Sequence, residues 1–167
     1  MMNEPSREGS NTPVRRGWIE KAALRGNDHA FPSGRYLWSP QRSHSGADIY
    51  RFMREVHPGD LVLHVVSDEL IGSSLAALKV QEIDQFGRGY YIVKLDDFQR
   101  LAEPLRLHDV FARRESEYKA MAARRGAYLF FNSDLKLRQG AYLTPASPLF
   151  LQDAELCRRE LVRNTKG

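Results

Sequence analysis

The chain has 167 residues, of which 42% are hydrophobic and 28% charged, with a formal net charge of +4. That length fits one domain with a tail, and that apolar content excludes a chain disordered throughout. The single cysteine, Cys157, excludes an internal disulfide framework and any cysteine-based zinc cluster.

Residues 1–15, rich in Ser, Asn, Pro and Arg, are expected to be a disordered tail ahead of a single domain spanning 16–163. The tail has no signal-peptide core and no later run approaches the ~20 apolar residues of a membrane span, so a cytoplasmic protein is expected. Gly17–Ala23 reads as a first strand with Trp18 and Ile19 buried, and the Gly, Asn, Asp, Pro and Ser of 25–34 mark a loop. Tyr36–Trp38 is extended, and Pro40 keeps Ser39 out of the helical region, which should end the strand. Over Ala47–Val56, the residues Ile49, Phe52, Met53 and Val56 recur at three- and four-residue spacing, predicting a helix that His57-Pro58-Gly59-Asp60 stops.

Leu61–Val66 and Leu70–Ile83 are β-rich runs joined by Ser67-Asp68-Glu69, and Tyr90–Leu95 is a further strand. Leu101–Leu107 can add a short one. His108–Arg125 turns helical, and Ala141–Thr144 is expected to close the sheet. Ser147 can cap a last helix over Pro148–Arg163 with proline in its first turn. Cys157 in that helix reads as a buried structural thiol. Strands in the middle with helices around them indicate an α+β fold built on a small barrel.

The order Leu37-Trp38-Ser39, a polar loop, Ile49–Val56, Pro58-Gly59-Asp60 and Ile71-Gly72 resembles the EVE domain and the related YTH domain of the PUA-like superfamily. The run Gln139-Gly140-Ala141-Tyr142-Leu143-Thr144 is similar to the closing strand of EVE modules attached to modification-dependent restriction systems of the McrB type. Together these motifs cover roughly residues 17–160. The resemblance implies a small β-barrel of about five or six strands flanked by helices, which accepts a base flipped from a duplex and stacks it in an aromatic cage. Its ligand would be DNA carrying 5-methylcytosine, 5-hydroxymethylcytosine or methylated adenine. Any cutting would fall to a fused or separate nuclease or translocase.

By that resemblance Trp38 is a cage wall with Ser39 hydrogen bonding beside it, and Asn27 matches by position an Asn that contacts the base edge. Trp38 can equally pack the barrel end, and Asn27 can equally form a turn. The second wall is expected from Phe86, Tyr90 or Tyr91. The YTH pattern has a Trp in that region and this chain does not. Strand alternation sends one of Tyr90 and Tyr91 to the core. Arg35, Arg42 and His44 flank the Trp38 loop and are candidates for phosphate contacts. The pairs Arg113-Arg114 and Arg124-Arg125 read as a solvated helix face that can extend a DNA track.

An enzyme finds less support. Asp60, His64 and Asp68 match no catalytic signature, and His57, His64 and His108 lack metal-ligand spacing, so a binding domain without cofactor or metal is expected. His64, inside an apolar strand, reads as a satisfied core histidine. An RNA-binding module and a protein-interaction module on the same barrel are the alternatives.

Overall fold

Strand β1 (Gly17–Lys21) forms where the sequence led us to expect a strand, with Trp18 and Ile19 buried as expected and Gly17 and Glu20 buried beside them. It pairs in parallel with β3 (Leu61–Val66) and antiparallel with β7 (Leu143–Ala146). The computed structural model describes residues 16–22, 34–85 and 87–166. Residues 1–15, Asn27 and Phe86 lie outside the described residues.

The remaining strands are β2 (Tyr36–Pro40), β4 (Glu69–Ala76), β5 (Gln81–Gln85) and β6 (Arg88–Arg106). The order β2-β6-β4-β3-β1-β7, with β5 also on β6, gives a curled mixed sheet of seven strands, a half-barrel. β4 and β5 run as one interrupted arm of a long hairpin against β6, while β2 takes the opposite edge of β6 over Tyr90–Lys94. The run 70–83 is therefore two strands, and Leu101–Leu107 is the far end of β6 rather than a separate strand.

The expected helix over Ala47–Val56 is shorter and tighter, a 3-10 helix at Arg51–Glu55. Ala47 explains the loss: its N–H is taken by the Ser43 hydroxyl at 3.0 Å and its carbonyl by the Ser43 N–H. A local side-chain bond thus competes with the first helical turn, and Ile49 is left 45% exposed while Met53 and Val56 are buried. The helical stretch after β6 is two helices, α1 (Leu107–Ala112) and α2 (Glu115–Ala123), broken at Arg113-Arg114. Helix α3 (Pro148–Thr165) starts as expected, with the Ser147 hydroxyl accepting from the Phe150 N–H.

The curl divides the apolar side chains into two cores. One lies between the sheet and the helices, around Ile19, Leu105, Phe111, Tyr118, Phe130 and Phe150. The other lies inside the half-barrel under the 3-10 helix, around Trp18, Leu37, Met53, Val62, Tyr91 and Val93. Cys157 is buried, and that burial raises its thiol pKa, as befits a structural thiol.

Candidate nucleic-acid interface

Alternation along β2 decides what each residue of the Trp-Ser pair can do. Leu37 and Ser39 point into the half-barrel with Tyr91 and Val93, whereas the half-buried Trp38 leaves by the other face. On that face its indole stacks on Tyr90, with ring centroids 5.1 Å apart and planes 12° from parallel. A base held between two rings needs two contacts of ~3.5 Å each, about 7 Å in all. Tyr90 therefore backs Trp38 rather than standing across from it.

Tyr91 is not available to a cage. It is 5% exposed, and its hydroxyl accepts from Arg54 Nη1 at 2.7 Å. Arg54 also holds Asp48 at 2.7 Å, and that bond, with the Tyr91 bond second, raises the guanidinium pKa and lowers the Asp48 carboxyl. Ser39 Oγ is buried and has no hydrogen-bond partner among the described residues. Because Ser39 and Trp38 point to opposite faces, their side chains cannot both meet one base lying on the Trp38 platform.

The same alternation brings two cations to the platform that sequence reasoning did not single out. Arg88, Tyr90, Ile92 and Lys94 occupy successive positions on one face of β6, in register with β2 and without a bulge. Arg88 also donates to the Arg42 carbonyl at 2.9 Å, tying the loop after β2 to the start of β6. Arg35 precedes β2 while Arg42 and His44 follow it, all three exposed, so they stand at the two ends of the strand.

A chain of buried polar groups holds β2 in place. The Trp38 N–H donates to the Tyr142 hydroxyl at 2.9 Å, and that hydroxyl donates to Glu20 Oε1 at 3.2 Å. Glu20 Oε2 lies 2.5 Å from His64 Nδ1, and His64 Nε2 lies 2.7 Å from Ser74 Oγ. Ser74 sends its one proton to the Gly34 carbonyl at 2.7 Å, so His64 Nε2 must carry a hydrogen. Burial, with the Glu20 charge second, pushes the Tyr142 phenol well above its usual pKa and keeps it neutral. The network runs from the backbone of Trp38 to the turn that opens β2. His64 is the satisfied core histidine expected, and its partners Glu20 and Ser74 were not foreseen.

The other polar clusters are structural. Asp60 accepts from Trp18 Nε1 at 2.9 Å and from the His57 N–H at 2.8 Å. Arg113 and Arg114 are both paired within the fold. Arg113 pairs with Glu160 at 2.9 Å, and Arg114 with the buried Asp153 at 3.3 Å, which pins α3 against α2. Among the described residues no group of three His, Cys, Asp or Glu side chains gathers to hold a metal, and no helix is long and apolar enough to cross a membrane.

No protein-family model matches the sequence, and no curated protein matches it. Solved structures do. Human THYN1 in complex with 5-methylcytosine containing DNA shares the fold at a TM-score of 0.54 and 9% identity, over 86% of this chain and 97% of that one. The N-terminal domain of Staphylothermus marinus McrB gives 0.52 at 12% identity, over 84% and 93%. Atu2648 from Agrobacterium tumefaciens gives 0.50 at 14% identity, over 85% and 92%. The chain thus shares the fold of the McrB N-terminal domain and of THYN1.

Proposed function

We propose that this chain is a DNA-binding reader module that recognises a modified base, with Trp38 as the stacking surface. The observation that carries the reading is the Trp38–Tyr90 stack, half-buried on the outside of the sheet, with Arg88 and Lys94 on the same face of β6. Tyr90 behind the indole and the Tyr142 bond to the Trp38 backbone fix the ring before a ligand arrives, which lowers the ordering cost of binding. A base flipped from the duplex stacks on the indole for about 1–3 kcal/mol. A methyl group entering a dry contact adds on the order of 1 kcal/mol. THYN1, which shares the fold, is bound to methylcytosine DNA, and this supports DNA over other ligands.

In this reading Arg88 and Lys94, with Arg35 and Arg42 at the strand ends, meet phosphates. Asn27 and Phe86 remain proposals for the base edge and the facing wall. Ser39 would act through its backbone rather than its hydroxyl. Any cleavage belongs to a partner or a fused domain, as in a modification-dependent restriction system. The test is a binding titration of Trp38→Ala against duplexes that differ only in 5-methylcytosine, 5-hydroxymethylcytosine or N6-methyladenine. The variant should keep its melting temperature and lose roughly 5- to 100-fold in affinity for the preferred duplex, the equivalent of one stacked base. Equal affinity of the native chain for modified and plain duplexes would reject the reader assignment in favour of general nucleic-acid binding.

A further inference from the structure

A second aromatic and basic groove opens where the half-barrel is incomplete, between the loop that leaves β2 and the edge strand β7. It encloses about 470 Å³ and is lined by Ile49, Arg51, Phe52, Tyr128, Arg138 and Thr144, among others. Tyr128 is 53% exposed and Ile49 45%, which is unusual for side chains so apolar on a surface otherwise rich in charge. The Arg51 guanidinium lies 4.2 Å over the Tyr128 ring and 5.0 Å over Phe52, while Phe52 meets Tyr128 edge-on at 6.1 Å. A bond from Arg51 also lowers the Tyr128 phenol pKa. The groove is thus walled by planar groups already arranged for stacking.

Charge narrows the ligand class. The groove has two guanidiniums, Arg51 and Arg138, and its one carboxylate, Asp48, is already engaged by Arg54. The two other large cavities differ. The 960 Å³ groove along α3 has its Glu155 and Arg158 paired with each other, and the 570 Å³ groove beside α1 has Glu115 paired with Lys119. Neither presents an exposed aromatic ring with spare positive charge.

A planar, anionic ligand fits these features, and the groove adjoins the proposed reader strand. Ala141 and Leu143, which line it, flank Tyr142, whose hydroxyl holds the Trp38 backbone. We propose that the groove binds a second nucleotide of the same DNA, its base against Tyr128 and Ile49 and its phosphate toward Arg138. This rests on the reader assignment for the identity of the strand. It adds a contact that raises affinity without reading the modification.

The experiment compares Tyr128→Ala and Trp38→Ala in the full chain, by fluorescence anisotropy on paired modified and plain duplexes. Melting temperatures are measured alongside. Tyr128→Ala should weaken both duplexes by a similar factor, roughly 5- to 100-fold, and leave their affinity ratio unchanged. In addition, 2-aminopurine placed at successive positions beside the modified base should be quenched at one position by the native chain and not by Tyr128→Ala. Native affinity in Tyr128→Ala, with no position quenched, would overturn the second site while Trp38→Ala still abolished the preference. That outcome would leave the groove to a protein partner. Absence of any preference in the native chain, with Tyr128→Ala still weakening binding, would instead fail the reader assignment and keep the groove.

Discussion

Two tyrosines, the buried Tyr118 and the half-buried Tyr142, act in opposite parts of the molecule through the same chemistry. The Tyr118 hydroxyl donates to Asp153 at 2.6 Å beneath α3, and the Tyr142 hydroxyl donates to Glu20 at the open edge of β2. Each is held by a carboxylate in a buried setting, so burial first and the carboxylate second raise its pKa above the ordinary 10.0. The sign follows directly. Both states are neutral at these groups below pH ~10, and above it the unfolded chain releases two protons that the folded chain keeps. Stability should therefore be insensitive to these tyrosines up to pH ~10 and then fall by about 1.4 kcal/mol per pH unit for each of them. Urea denaturation from pH 8 to 11.5 measures the slope. Tyr118→Phe should flatten it by one tyrosine's share, and an unchanged slope in that variant would show that Tyr118 ionises normally in the fold.

Glycines decide how closely elements approach. Gly34 opens β2 with φ +84°, and a Cβ there would stand 2.7 Å from the Phe98 ring. Gly72, the glycine of the Ile71-Gly72 motif, sits where β4 slips register against β6, and a Cβ on it would lie 2.6 Å from the Gln99 carbonyl oxygen. That neighbour is backbone and cannot rotate away. Gly72→Ala should accordingly cost about 1–3 kcal/mol, the range for overpacking, read as a lowered urea midpoint; a variant of native stability would mean that β4 and β6 separate freely. At this scale the sequence announced β1, β3 and α3 through apolar runs and a serine cap. The motif order pointed to the half-barrel. It did not show that β6 runs unbroken for 19 residues, because its register slips against β4 and the left-handed Asp97 blur the period of two. The 3-10 helix was overestimated because Ile49 carried helical spacing without being buried. In the site, alternation foretold that Tyr90 and Tyr91 would part company, but only β2 pairing shows which one joins Trp38. Glu20, His64 and Ser74 lie on three different strands and Tyr142 just ahead of a fourth, and no local spacing signals that they meet.

For the whole molecule, net charge matters less than which cations are already paired. Arg54, Arg113, Arg114, Arg158 and Arg159 all face carboxylates within 4 Å, most of them on the helices or the 3-10 turn. The proposed reader face instead gathers Arg88 and Lys94 beside the Trp38–Tyr90 stack, with Arg35 and Arg42 at the ends of β2. If these four meet phosphates, the logarithm of affinity should fall against the logarithm of salt with a slope of about −3 to −4, from −0.9 per phosphate contact. The ratio of affinities for modified and plain duplexes should hardly move over the same range, because stacking and shape are only weakly screened. Anisotropy titrations between 50 and 200 mM salt, roughly the range over which counterion release is read, provide both quantities. Arg88→Gln with Lys94→Gln should reduce the slope by about two contacts and leave the ratio intact. A double variant with the native slope would place the phosphates elsewhere on the surface. A preference that vanishes with salt as fast as the affinity would mean that charge, not the indole, distinguishes the modified base.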